Sequence, residues 1–196
     1  MTLVHQPMKV EPVTLEGEFV CLEPLRIEHH AALLEVAIDP ELWRWTGANI
    51  ETGDDLERYM EYALDEQKQG WALPFATISK AAKKPVGSTR FGNIDARSRH
   101  VEIGWTWIGR PWQRTALNTE AKLLMLRHAF EVLGCLRVEF KTDVLNQQSR
   151  AAISRLGAKE EGVMRKHLVT ERGRVDRKST RLNSSHYQPS RMPSSA

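Results

Sequence analysis

The sequence predicts an α+β fold, a mixed and mostly antiparallel twisted sheet with helices packed on its faces. Three observations predict it. The strand candidates between Trp71 and Ile108 are joined by short turns, which suit antiparallel neighbours. A long segment with a helical apolar stripe, Leu117 to Leu133, lies between two strand candidates, the arrangement of a parallel crossover. The elements run strand, two helices, three strands, helix, strand, helix, strand, and no internal repeat interrupts that order.

The first dozen residues are polar and read as a frayed lead-in. Phe19 to Pro24 is a strand that Pro24 stops. Glu28 to Ile38 carries apolar residues at Ala31, Leu34 and Ile38, a helical spacing broken by Asp39-Pro40. Thr52 is the N-cap candidate of a second helix, in which Leu56, Tyr59, Met60, Ala63 and Leu64 share a face and Gly70 closes the end. Trp71 to Ser79, Pro85 to Asn93 and His100 to Ile108 follow as three strands, with turns at Lys83-Lys84-Pro85 and Ala96 to Arg99. In the helix 117–133 the stripe is Leu117, Ala121, Leu124, Met125, His128, Ala129 and Val132, and Gly134 supplies the cap. Leu136 to Thr142 alternates as a strand, Asn146 to Leu156 is a short helix stopped by Gly157, and Ala158 to Thr170 opens a strand that Glu171 to Arg174 turns into a hairpin.

At 196 residues the chain suits one domain able to bury a core, and 41% hydrophobic against 27% charged residues is a globular balance. No run approaches a membrane span and Met1 to Val13 lacks the pattern of a signal peptide, so the expected setting is cytoplasmic, without a membrane. Cys21 and Cys135 both lie in apolar segments and read as two buried thiols rather than a disulfide, and no ligand spacing calls for a metal. The net charge of +3 is local: the residues from Asp176 onward hold four basic side chains and one acidic, leaving 24 of each sign in the preceding 175. A nucleic-acid partner is thereby excluded from the expectations.

The chemistry concentrates in residues 103–121, IGWTWIGRPWQRTALNTEA, where a strand ends, a loop follows and the strongest helix begins. A helix N-terminus leaves backbone N–H groups unpaired at the positive end of its dipole, and Arg110 and Arg114 would reinforce a phosphate site there. An ordinary loop with solvated arginines is the competing reading. Glu102, among apolar neighbours in HVEIGW, is the candidate general base, because burial would make it a better proton acceptor. A paired structural carboxylate is the alternative for it. Glu120 reads as a helix first-turn acid, and His128 as a packed or partly exposed helix residue. Of the six tryptophans, Trp43 and Trp45 are candidates for the wall of an acceptor site.

Gln113-Arg114-Thr115-Ala116-Leu117-Asn118 resembles, in position, the [Gln/Arg]-x-x-Gly-x-[Gly/Ala] motif of GNAT acetyltransferases, with Ala116 in place of the first glycine and Asn118 in place of the second small residue. The continuation Thr119-Glu120-Ala121 resembles the ribosomal-protein-acetylating (RimJ/RimL-like) branch. Asn146-Gln147-Gln148-Ser149 and Leu156-Gly157-Ala158 are similar to the following strand–helix segment of that family, and the resemblance runs from about Gly17 to Val175. It implies the GNAT, or acyl-CoA N-acyltransferase, fold and acetyl-CoA as co-substrate, with no metal. It further implies that backbone groups of Gln113, Arg114, Thr115, Ala116, Leu117 and Asn118 hold the pyrophosphate. Trp107 and Ile108 would hold the pantetheine through strand backbone, Asn146 through its side chain, and Ser149 would protonate the departing thiolate; a solvated helix residue is the other reading of Ser149. The implied acceptor is a primary amine, on a small molecule, a protein N-terminus or a ribosomal protein, and the enzyme would be a monomer or homodimer. A catalytically inactive acyl-CoA-binding domain remains the alternative.

The expected organisation is a flexible N-terminus over 1–16, the acetyltransferase domain over 17–175, and a non-native tail over 176–196. Asp176 to His186 and Ser190 to Ala196 match one reading frame of a common sequencing adapter, and the family's final strand is expected to be missing, leaving a sheet edge uncovered.

Overall fold

Period-two alternation, as in Val101-Glu102-Ile103 and Val138-Glu139-Phe140, sends every second side chain to the same side of a sheet, and here both sides are covered. A computed structural model of the chain describes residues 8–167, 169, 173 and 178–182, the last five as backbone only. The strands are β1 (Leu15–Glu16), β2 (Val20–Pro24), β3 (Leu73–Ser79), β4 (Lys84–Asp95), β5 (His100–Ile108), β6 (Arg137–Asp143), β7 (Lys159–Met164) and β8 (Lys178–Leu182). They form one sheet in the order β1-β2-β3-β4-β5-β6-β8-β7. Among the described residues only β5 and β6 pair in parallel, because the long helix between them returns the chain to the same end of the sheet.

Helices α1 (His30–Ala37) and α2 (Gly53–Lys68) cover one face, and α3 (Ala116–Arg127) and α4 (Gln147–Arg155) the other. Leu33, Ala37, Leu56, Met60 and Ala63 fill the first interface together with Trp43 and Trp107. Leu117, Ala121, Met125 and Ile153 pack on Val101, Ile103, Val138 and Phe140 in the second. Full burial of side chains of this size contributes about 2 kcal/mol each. Thr52 caps α2 as its sequence predicts, in a reciprocal pair with Asp55, and Gly70, Gly134 and Gly157 all have the positive φ of helix terminators. Both cysteines are free thiols, Cys135 buried and Cys21 half-buried. Among the described residues no helix is long and apolar enough to cross a membrane.

Four expectations are revised. In α1 the buried pair is Leu33 and Ala37, and Ile38 is exposed; HAALLEVAI offers two apolar stripes one residue apart, and spacing alone does not choose between them. In the long helix the buried set is Leu117, Ala121, Lys122, Met125, Leu126, His128 and Ala129, while Val132 stands 70% exposed. The cause is a π-helical turn at His128–Val132, whose wider winding rotates Val132 out of the stripe. The described part of the N-terminal segment, from Met8, joins the fold, since Leu15 and Glu16 pair with Leu22 and Cys21, and Met8 is buried with its sulfur 3.3 Å from that of Cys135. The place of the final strand is taken by Lys178–Leu182, antiparallel to both β6 and β7. Strand pairing uses backbone groups alone, so an extended segment of any non-proline sequence can satisfy two open edges. The hairpin turn expected over 171–174 falls, apart from Gly173, outside the described residues, as does the tail apart from 178–182.

Candidate active site

The site begins with one extra residue in β5. On β4 the step from Arg90 to Ser88 is two residues, whereas their partners on β5, Gly104 and Trp107, are three apart. Trp105 absorbs the surplus with φ of 49°, a strained value for a bulky side chain. The bulge also inverts the alternation: Ile103 faces α3, yet beyond the bulge Thr106 faces α3 and Trp107 faces α1 and α2. Gly87 lies opposite, where a Cβ would stand 2.2 Å from the Trp107 carbonyl oxygen, so β4 can approach the bulged strand only as glycine.

Beside the bulge the sheet opens. The β5–β6 ladder is limited to His100–Arg137, Val101–Val138 and Glu102–Glu139. From Ile103 onward the two strands have no rungs in common, which leaves a cleft bounded by the backbone of Trp107 and Ile108 on one side and the end of β6 on the other. The N-terminus of α3 lies beyond this cleft. Thr115 caps it through the Leu117 N–H at 3.3 Å, and its hydroxyl donates to the Trp112 carbonyl at 2.8 Å. Arg114 takes a positive φ of 60°, and Arg114, Thr115 and Ala116 are exposed, so the open N–H groups of the first turn face solvent. Asn118 is half-buried, with its Oδ1 buried and without a hydrogen-bond partner. Gln113 is half-buried and donates from Nε2 to the Ile108 carbonyl at 2.8 Å, tying the loop to the strand end. Arg110 is committed elsewhere: its guanidinium forms a two-pronged ion pair with Asp39 after α1, and that bond holds the Asp39 carboxyl below its ordinary range.

Asn146 caps α4, its Oδ1 accepting from the Ser149 N–H at 3.0 Å, which places the two residues together at the cleft end of β6. Ser149 is half-buried. Glu102 is 5% exposed on the α1/α2 side, where its Oε2 accepts from Lys141 Nζ at 2.6 Å and Asn93 Nδ2 at 2.7 Å. Lys141 also reaches Glu139 at 3.3 Å; burial opposes its charge, but the two carboxylates outweigh burial and raise its pKa. Glu120 is structural, its carboxylate accepting from the N–H groups of Glu18, Phe19 and Val20 at 2.7 to 2.9 Å.

On the same side as Glu102 the wall is aromatic. Trp43 packs against Trp107 and Tyr59, with ring centroids 5.3 and 5.9 Å apart, and the Tyr59 hydroxyl reaches the Trp105 carbonyl at 3.4 Å. Burial raises the Tyr59 pKa. Arg90 is buried 4.3 Å from the Trp105 ring centroid and bonded to Glu66 of α2 at 2.8 Å. Trp45 lies under the Arg44 guanidinium. His128 packs near Phe91, and burial lowers its pKa.

The structure thus places Trp107, Ile108 and Gln113 to Asn118 at and after the C-terminal end of β5, and Asn146 and Ser149 after the same end of its parallel neighbour β6, with Glu102 on the last shared rung. Sequence reading passed over Arg90, Tyr59, Lys141 and Lys122. Only Lys122 left a trace, as a charged residue one position from Ala121 in an otherwise apolar stripe. Among the described residues no group of three His, Cys, Asp or Glu side chains is placed to hold a metal.

Comparison with known proteins agrees with this geometry. Residues 20–159 match the family model described as an acetyltransferase (GNAT) domain. YdaF of Bacillus subtilis (strain 168), which carries the name of a ribosomal N-acetyltransferase, is 35% identical over 82 residues, 42% of this chain and 44% of its own; the match thus spans less than half of that relative. A GCN5-related N-acetyltransferase from Brucella melitensis superposes with a TM-score of 0.85 at 28% identity, covering 94% of this chain and 84% of that one. RimJ of Mycobacterium smegmatis, solved in complex with CoA-disulfide, shares the fold at a TM-score of 0.76 and 22% identity, covering 87% and 84% of the two chains.

Proposed function

Since this chain belongs to the GNAT acetyltransferase family, we propose that it moves an acetyl group from acetyl-CoA directly to a primary amine, with the amine of a ribosomal protein or other protein N-terminus as the leading acceptor class and a small amine as the other. The observation that carries the reading is the coincidence of two features: a cleft where β5 and β6 part after Glu102–Glu139, and an exposed, Thr115-capped helix N-terminus at its mouth. An extended arm ending in a pyrophosphate fits that pair. The strand backbone at Trp107 and Ile108 would hold the pantetheine, and the amides of Gln113 to Asn118, with Arg114, the phosphates. The name of YdaF favours a ribosomal acceptor.

In the proposed reaction the neutral amine attacks the thioester carbon, forming the C–N bond. The tetrahedral intermediate then collapses with cleavage of the C–S bond. Glu102, held in place by Lys141 and Asn93 on the acceptor side, receives the amine proton through water. Asn146 orients the pantetheine, and Ser149 supplies a proton to the leaving thiolate. The aromatic wall of Trp43, Tyr59 and Trp107 lines the acceptor side.

A second reading, acyl-CoA binding without turnover, is favoured by one observation, the engagement of Glu102 in a buried ion pair. Calorimetric titration with CoA and thiol release from acetyl-CoA over a panel of amines and N-terminal peptides separate the two. Binding with acceptor-dependent thiol release supports transfer. Binding without release on any acceptor supports the second reading, and absence of binding defeats both.

A further inference from the structure

Lys122 is the anomaly of the α3 face. It is 7% exposed in the middle of the apolar core, where a lysine is ordinarily excluded. Its Nζ bonds the hydroxyl of Thr89 on β4 at 2.7 Å and that of Thr106 on β5 at 2.5 Å. The two hydroxyls lie 2.8 Å from one another, and both reach the Gly104 carbonyl, at 3.4 and 3.3 Å. Gly104 and Thr106 flank Trp105, the residue that forms the bulge. The amine therefore holds one side of the bulge at Thr106 and the neighbouring strand at Thr89, and the two hydroxyls extend the contact to Gly104 on the other side.

We propose that Lys122 is a positioning residue for the donor cleft: its amine, through Thr89 and Thr106, holds the β5 bulge in the shape that directs the Trp107–Ile108 backbone into the cleft. The inference rests on the acetyl-CoA reading for what the cleft takes, and on geometry alone for what Lys122 holds. Tyr59 and Arg90 hold Trp105 from the other side of the sheet, and Lys122 with its two threonines supplies the hold from the α3 side that the strained φ of Trp105 requires.

The charge state fits the contacts. Burial pulls the Lys122 pKa down to about 7, so near neutral pH much of the population carries a neutral amine with two N–H groups, one for each threonine. Among the described residues no carboxylate faces it. On α3, Glu120 is turned to the Glu18–Val20 amides and His128 lies near Phe91; Arg90 of β4 and Glu102 of β5 project from the opposite side of the sheet. Burial is accordingly the whole cause of the shift.

The test compares the full chain with Lys122→Met, Lys122→Gln and Thr106→Val. Thr106→Val serves as a conservative second disruption in case the methionine variant does not fold. Hydrogen exchange of the 103–109 amides without ligand, CoA affinity, and the KM for acetyl-CoA are measured on each folded protein. Lys122→Met and Thr106→Val should speed exchange at 103–109, weaken CoA and raise KM about tenfold with a smaller change in kcat. Lys122→Gln, which keeps two N–H donors, should recover part of both effects. Unchanged exchange at 103–109 in folded Lys122→Met and Thr106→Val overturns the role of Lys122, whatever CoA does. A wild type that binds no CoA, with those amides still loosened in the variants, overturns the acetyl-CoA reading and reduces Lys122 to a brace of the strand.

Discussion

Glu102 of β5 and Lys141 of β6 are joined by a 2.6 Å ion pair across the rung at which the two strands part. The pair lies diagonally, since Glu102 sits opposite Glu139 and Lys141 is two residues further along β6. It ties the closed end of the sheet to the start of the cleft, and it holds the candidate base in one orientation.

Removing the cation should be costly. Lys141→Met leaves Glu102 and Glu139 buried against each other without their shared partner, a loss of about 3 kcal/mol. Equilibrium denaturation checks this, and a variant as stable as the parent would show the pair to be dispensable.

The same cluster predicts an acid limb. Burial resists the charge on Glu139, but Arg137, Lys141 and His100 outweigh burial and lower its pKa. A lowered folded pKa adds stability that is full above the unfolded value and is lost as pH falls through the folded one. Wild-type stability should therefore fall as pH drops below the ordinary 4.5, and Glu139→Gln should flatten that part of the curve. Parallel curves for the two proteins would exclude Glu139 as a source of the limb.

Lys122 has the same linkage sign at a higher pH. Its folded pKa of about 7 lies below the ordinary 10.5, so between those values the unfolded chain binds the extra proton and stability rises with pH. The stability of Lys122→Met relative to the wild type should therefore be highest near pH 7 and decline as pH rises toward 10. Melting temperatures across that range provide the measurement; a difference that does not change with pH would contradict the depressed pKa.

Much of the architecture is legible in the sequence because it depends on local signals. The Thr52–Asp55 cap, the glycine terminators and the alternation of β5 and β6 each act over a few residues. The candidate cleft residues are named through the family motif, and Gln113 to Asn118 and Asn146 with Ser149 follow the C-terminal ends of the neighbouring parallel strands β5 and β6. What the sequence hides is set by tertiary register. The Trp105 bulge decides which side Thr106 and Trp107 take, and nothing in HVEIGWTWI marks it. Arg110 resembles a phosphate ligand until the fold brings Asp39 beside it. Lys122 acquires its role only where two threonines from different strands meet it.

Glu120 provides a contrast to the cleft residues. Glu120→Ala removes the acceptor for three backbone N–H groups at the start of β2 and should cost about 2 kcal/mol, while turnover per folded molecule is retained. A fall in kcat beyond the folded fraction would assign it a part in the chemistry.

Removal of 176–196 tests the role of the tail strand. It deletes β8, opening the edges of β6 and β7 together. The shortened chain should melt lower and aggregate; an unchanged cooperative melt would show that pairing by Lys178–Leu182 contributes nothing to stability.

The central claim is acetyl transfer to an amine, and the most direct measurement is the mass of the acceptor. Isotopically labelled acetyl-CoA and a ribosomal-protein N-terminal peptide are incubated with the wild type, Glu102→Gln and Ser149→Ala. The account predicts a labelled acetyl group on the peptide amine, formed at a rate that falls about a hundredfold in Glu102→Gln while CoA affinity is kept. Labelled product formed equally fast by Glu102→Gln would remove that residue from the mechanism. CoA bound by the wild type with no labelled product on any amine would contradict the claim itself.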